Sequence, residues 1–128
     1  GIVALIDAGT AGEDPTLTIE QAQDASGTGA KALTFEDIYV KSGADVQAVG
    51  QFTKVTQTAA STYVDATHAE VEKMYYVEFD DEDLDVANGF THVRARIADV
   101  GTGAQIGAIL YLLLDATHAS DVGPTAID

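Results

Sequence analysis

The chain has 128 residues, 46 % of them hydrophobic, which is the length of one ordinary domain with enough apolar content to bury a core. Six Lys and Arg against 21 Asp and Glu leave a formal charge of −15, which repels phosphate backbones and anionic head groups and so argues against nucleic acid and membranes as partners. Cysteine is absent, which removes disulfides, thiol chemistry and zinc–thiolate sites.

The first run, "GIVALIDAG", is apolar, but no basic segment precedes it and Asp7 interrupts it, so it does not read as a signal peptide. Residues 1–15 read as an N-terminal arm or an edge strand. Ile2, Val3, Leu5 and Ile6 would then either pair within their own domain or add across the edge of another copy or partner. "TLTIEQA" sets Leu17 and Ile19 on one face and Thr16, Thr18 and Glu20 on the other, the alternation of a half-buried strand. "ALTFEDIYV" starts in that phase and then moves its apolar set to Ile38 and Val40, which predicts a β-bulge at Glu36-Asp37.

"FTKVTQT" is β-branched and Thr-rich, and "MYYVEF" is aromatic around Val77; both read as strands. Between them "THAEVEKM" offers a short helix, with Thr67 and Glu70 in capping-box spacing. Asn88-Gly89 predicts a tight turn. After it, "THVRARIADV" turns Val93, Ala95 and Ile97 one way and His92, Arg94 and Arg96 the other. The last run, "IGAILYLLL" (Ile106–Leu114), is far short of the ~20 residues that span a bilayer. Being apolar on both faces, it predicts a central strand covered on each side. Gly-, Asp- and Asn-rich turns recur between these runs. Together they predict an all-β fold in one domain, 1–128: an antiparallel β-sandwich or jelly roll with short turn-helices.

Motifs for chemistry are weak. "DATHA" occurs at Asp65–Ala69 and at Asp115–Ala119, and "GTGA" at Gly27–Ala30 and Gly101–Ala104. The two offsets differ, so one tandem duplication does not explain both. Each DATHA follows an apolar residue, which fits a turn closing a strand better than a metal site built on His68 and His118. "FDDEDLDVANG" fails as an EF-hand, because Val86 stands where the loop needs Gly and His92 where it needs Glu. No metal is expected; Asp81, Asp83 and Asp85 are the residues a loose surface calcium or magnesium would use. "SGTGAK" lacks phosphate-loop spacing, and no serine neighbours a histidine. Glu78 and Asp80 would share a strand face, but the chain leaves little room for a sugar cleft. Arg94 and Arg96 read either as cross-strand ion pairs or as a basic anchor in an interface. No catalytic residue and no cofactor are expected.

The stretches "GAKALTF", "EFDDEDLDVANGFTHVRARIADVG" and "AQIGAILYLLLDATHA" resemble a group of small tailed-phage virion proteins, over about residues 16–127. The resemblance implies a head decoration, or cement, protein: non-enzymatic, a homo-oligomer (dimer or trimer), made in the host cytoplasm and bound on the virion's capsid surface to the major capsid protein. On that reading Ile2, Val3, Leu5, Ile6, Arg94 and Arg96 are the contact residues. A tail or adaptor component, and a carbohydrate- or calcium-dependent binding module, are the alternatives.

Overall fold

The computed structural model describes residues 1–43, 46, 49, 51–66, 71–98, 101 and 103–113. Nine strands form among them: β1 (Ile2–Asp7), β2 (Thr16–Ala22), β3 (Lys31–Ala32), β4 (Phe35–Ser42), β5 (Thr53–Ala60), β6 (Thr62–Val64), β7 (Glu72–Val77), β8 (His92–Ala98) and β9 (Ile106–Tyr111). All pairings are antiparallel. One sheet has the order β5-β4-β7-β1-β9; in the other, β2 is flanked by β8 on one side and by β6 and β3 on the other. The two sheets pack face to face as a sandwich, the fold class the alternation predicts.

Period-two patterning places the core. Ile2, Ala4 and Ile6 from β1 and Tyr75 and Val77 from β7 meet Leu17 and Ile19 from β2 and Ala95 from β8. The expected bulge is present, since Ala60 lies opposite Phe35 but Thr56 opposite Asp37. That slip turns Phe35, Ile38 and Val40 all inward. The Asn88-Gly89 turn is also present. A 3₁₀ turn, Val86–Asn88, ends on Gly89 at φ 82°, a left-handed conformation that glycine adopts without strain.

Three expectations need correction. Ile2–Asp7 is not an edge strand: of the two readings, pairing within its own domain is the one observed, because β1 is hydrogen-bonded to β7 on one side and β9 on the other. The inner places in a sheet suit an uncharged apolar strand, and "IVALI" is one. Removing residues 1–6 would therefore open the sheet. The second correction concerns "IGAILYLLL": its strand, β9, ends the five-stranded sheet as described and is bare on its outer face. On that face Ile106 is 74 % exposed and Leu110 55 %. Third, the helix over "THAEVEKM" does not form as expected, because Glu72–Met74 belong to β7; Thr67–Glu70 lie outside the described residues. The strand's pairing with β1 outweighs a two-turn helix, too short to persist alone.

Ile19→Ala should cost about 2–5 kcal/mol, because Ile19 is fully buried between the sheets. Leu110→Ala on the bare face should change stability by less than about 0.5 kcal/mol. Denaturant melts of the two variants check this contrast; a large loss for Leu110→Ala would mean that its face is covered.

Candidate functional site: the outer face of the five-stranded sheet

In a two-layer sandwich each strand buries one face, so the residues alternating with the core point outward. In the five-stranded sheet many of these outward residues are apolar. The register sets them in rows across the strands. Leu110, Val3, Tyr76 and Tyr39 form one row from β9 through β1 and β7 to β4, ending beside Lys54 on β5. Ala108, Leu5, Met74 and Lys41 form the next. A third, Ile106, Asp7 and Glu72, turns acidic.

Aromatic contacts stiffen one end of this face. The Tyr76 ring lies 6.0 Å from that of Tyr39 and 6.3 Å from that of Phe52, and Lys41 Nζ is 5.5 Å above the Phe52 ring. The Tyr76 hydroxyl donates to Glu78 Oε1. This bond, and then burial, pushes the phenol up to about 12. An apolar centre rimmed by Asp7, Lys41, Lys54, Glu72 and Glu78 is the anatomy of a protein interface.

Of the predicted contact residues, Val3 and Leu5 lie on this face, while Ile2 and Ile6 are 3 % and 5 % exposed and belong to the core. Alternation along one strand makes it impossible for all four to meet a partner. Arg94 and Arg96 lie on the other sheet. Glu20 Oε2 accepts from Arg94 Nε at 2.9 Å and Nη2 at 2.6 Å, and Arg96 Nη1 stands 3.8 Å away. They form the cross-strand ion pairs that were one of the two readings, opposite Glu20 and Thr18 in the β2–β8 register.

Asp81, Asp83 and Asp85 do not converge. Asp83 Oδ2 accepts the Asp80 N–H at 2.9 Å, closing a 3₁₀ turn over Asp81–Asp83. Asp85 faces the other way: it ion-pairs with Lys31 and accepts from Asn88 Nδ2 at 2.8 and 3.0 Å. Lys31, then Asn88, holds the Asp85 carboxyl below its ordinary range. Gln21 Oε1 accepts the Asp85 N–H at 2.8 Å, so this aspartate ties the acidic turn to β2 and β3. Among the described residues no group of three or more His, Cys, Asp or Glu is placed to hold a metal. His68 and His118 of the DATHA repeats lie outside the described residues.

Sequence reasoning missed a buried polar cluster. Asp65, from the first DATHA, is fully buried and accepts the Tyr75 hydroxyl at 3.0 Å; the Tyr63 ring packs edge-on to Tyr75 at 5.6 Å. Burial first, then the Asp65 charge, raises the Tyr63 phenol to about 12 and holds Tyr75 far above its ordinary range. Lys73 is also buried, and its ammonium donates to the Glu13 carbonyl at 3.1 Å. Its signal was visible: Lys73 shares the inward phase with Tyr75 and Val77.

Both phenols keep their protons at a pH where tyrosine at its ordinary value of 10 ionises, so the unfolded chain loses protons first. Stability is therefore full below about pH 10 and falls as pH rises through 12. Phenolate absorbance should show three tyrosines ionising late, Tyr76 on the outer face and the buried pair Tyr63 and Tyr75, the pair together with unfolding. Tyr75→Phe should cost about 1.5–3 kcal/mol at neutral pH, the worth of a hydrogen bond to a charged group, and should flatten the alkaline limb. An unchanged limb would show that Tyr75 does not set it.

Comparison of the chain with protein-family models, with curated proteins and with solved structures yields no match.

Proposed function

We propose that this domain is a non-enzymatic structural component that docks on a larger protein assembly through the outer face of its five-stranded sheet. The assembly is the head of a tailed phage, and the partner is its major capsid protein. The observation that carries the reading is the apolar outer face. Strands with apolar residues on both sides suit a sheet covered on both sides, and on the outer side the described residues Phe52 and Val46 lie over only parts of the face, leaving Leu5, Ile106 and Leu110 exposed. A partner's surface supplies the other cover. The resemblance of "GAKALTF" and "EFDDEDLDVANGFTHVRARIADVG" to phage decoration proteins supports a shell as that partner.

The charge of −15 fits the same role. It favours solubility and disfavours contact between charged surfaces before a shell is available. Attachment then rests on apolar burial, since exposed ion pairs contribute only ~0–1 kcal/mol each. Val3, Leu5, Tyr76 and Leu110 supply the contact; Ile2 and Ile6 hold the sheet that presents it.

Purified protein mixed with undecorated phage heads should co-sediment with them. Leu5→Asp, outward on the face and outside its aromatic cluster, should keep the native melting profile to within about 1 kcal/mol and weaken attachment at least about tenfold, as loss of an interface anchor does. Attachment should persist or rise with salt, because screening weakens self-repulsion more than apolar contact. Absent co-sedimentation, or attachment lost steeply between low and moderate salt, would overturn the reading.

A further inference from the structure

The edge of β9 carries a second inference, separate from the docking face and independent of what that face binds. Exposed sheet edges are usually blunted by charge, shortness or bulges, because an open edge pairs with other chains. Most edges of this sandwich are blunted. β5 carries Lys54 and the register shift beside Phe35, β3 and β6 are two and three residues long, and β8 carries Arg94 and Arg96. In β9 none of these devices is present: Ile106–Tyr111 has no charge and no proline, and it keeps an unbroken register with β1. In sequence the uncharged stretch runs from Val100 through Leu114. On a chain of −15 it is a place where two copies can meet without opposing carboxylates.

Backbone phase fixes what this edge offers. Leu112 N–H donates to the Gly1 carbonyl at 2.8 Å, and the Gly1 amino group donates to the Leu112 carbonyl at 2.7 Å. Polar backbone groups alternate sides along an antiparallel strand. Ile106, Ala108, Leu110 and Leu112 therefore turn theirs to β1, while Gly107, Ile109 and Tyr111 turn theirs to the side that is open among the described residues.

We propose that β9 pairs antiparallel with β9 of a second copy, about a two-fold axis at Ile109, so that two five-stranded sheets continue as one. In this register Ile109 faces its own counterpart, and Gly107 faces Tyr111 of the other copy. All three open-side residues then exchange N–H and C=O groups. Side-chain sizes match as well: glycine lies opposite tyrosine on the inner face, and Ala108 lies opposite Leu110 on the outer face. Shifting by one residue would place inner residues opposite outer ones and lose this match. The Tyr111 hydroxyl also accepts the Ala95 N–H at 3.0 Å, which anchors β9 to β8 and holds the edge in place. The two outer faces become one continuous apolar surface.

Sedimentation equilibrium of the purified protein alone tests this, with no phage head required. The expected particle has twice the 13.3 kDa chain mass. Ala108→Glu with Leu110→Glu sets carboxylates directly opposite across the axis, from two exposed positions that the fold does not need. This variant should still melt cooperatively, without the concentration dependence that association gives the parent, and sediment as a monomer. Because the chain has no cysteine, Ile109→Cys should cross-link the pair on mild oxidation, hydrogen-bonded partners lying about 5.5 Å apart between Cα atoms. Leu113→Cys, exposed but far from its counterpart in this register, should not. A monomeric parent, a dimer that survives the double glutamate change, or equal cross-linking at 113 would each overturn the proposal. A dimer that fails to bind heads would instead overturn the docking reading and leave this one standing.

Discussion

A strand in a two-layer sandwich can bury only one of its two faces, and everything distinctive in this molecule follows from strands that are apolar on both. β1 and β9 put Ile2, Ala4, Ile6 and Ile109 toward the core and, in the alternate phase, Val3, Leu5, Leu110 and Ile106 toward the outside. Burial of one set drives folding. The other set is left over, and its position in rows across the sheet turns a patterning excess into a coherent surface. The polar sheet shows the contrast. On β2 and β8 the outward phase is Thr16, Thr18, Glu20, Arg94 and Arg96, a solvated face with ion pairs across the strands.

The buried polar groups serve the framework. Asp65 closes the end of β6 and is held by the Tyr75 hydroxyl from β7, a hydrogen bond that joins the two sheets, as the Ala95 N–H to Tyr111 hydroxyl bond also does. Lys73 reaches from β7 to the Glu13 carbonyl in the connection between β1 and β2. At the surface the partly exposed Asp85, with Lys31, Asn88 and Gln21, fastens the acidic turn to the second sheet. An unpaired buried charge costs several kcal/mol, so Asp65 and Lys73 keep these partners in the folded chain.

Charge and apolar surface divide the work in the proposed role. The acidic excess acts over about a Debye length and disfavours chance encounters. The uncharged outer face and the β9 edge act only at contact. Face and edge are also chemically distinct, one offering side chains and the other backbone groups, so a single sheet can meet two partners without competition between them.

Local pattern alone determined the strands: alternation in "TLTIEQA" and "THVRARIADV" marks β2 and β8, the slip at Glu36-Asp37 marks the bulge, and Asn88-Gly89 marks the turn. These features depend on neighbours in the chain, which the sequence displays directly. Strand order does not, because pairing partners are chosen by burial and register across long separations. So β1 sits inside the sheet and β9 at its end, although both read as equally apolar, and one face of "IGAILYLLL" is left bare. The same holds for the candidate site. Val3, Leu5, Met74, Tyr76 and Leu110 are scattered along the chain, and only the β7-β1-β9 register brings them onto one surface.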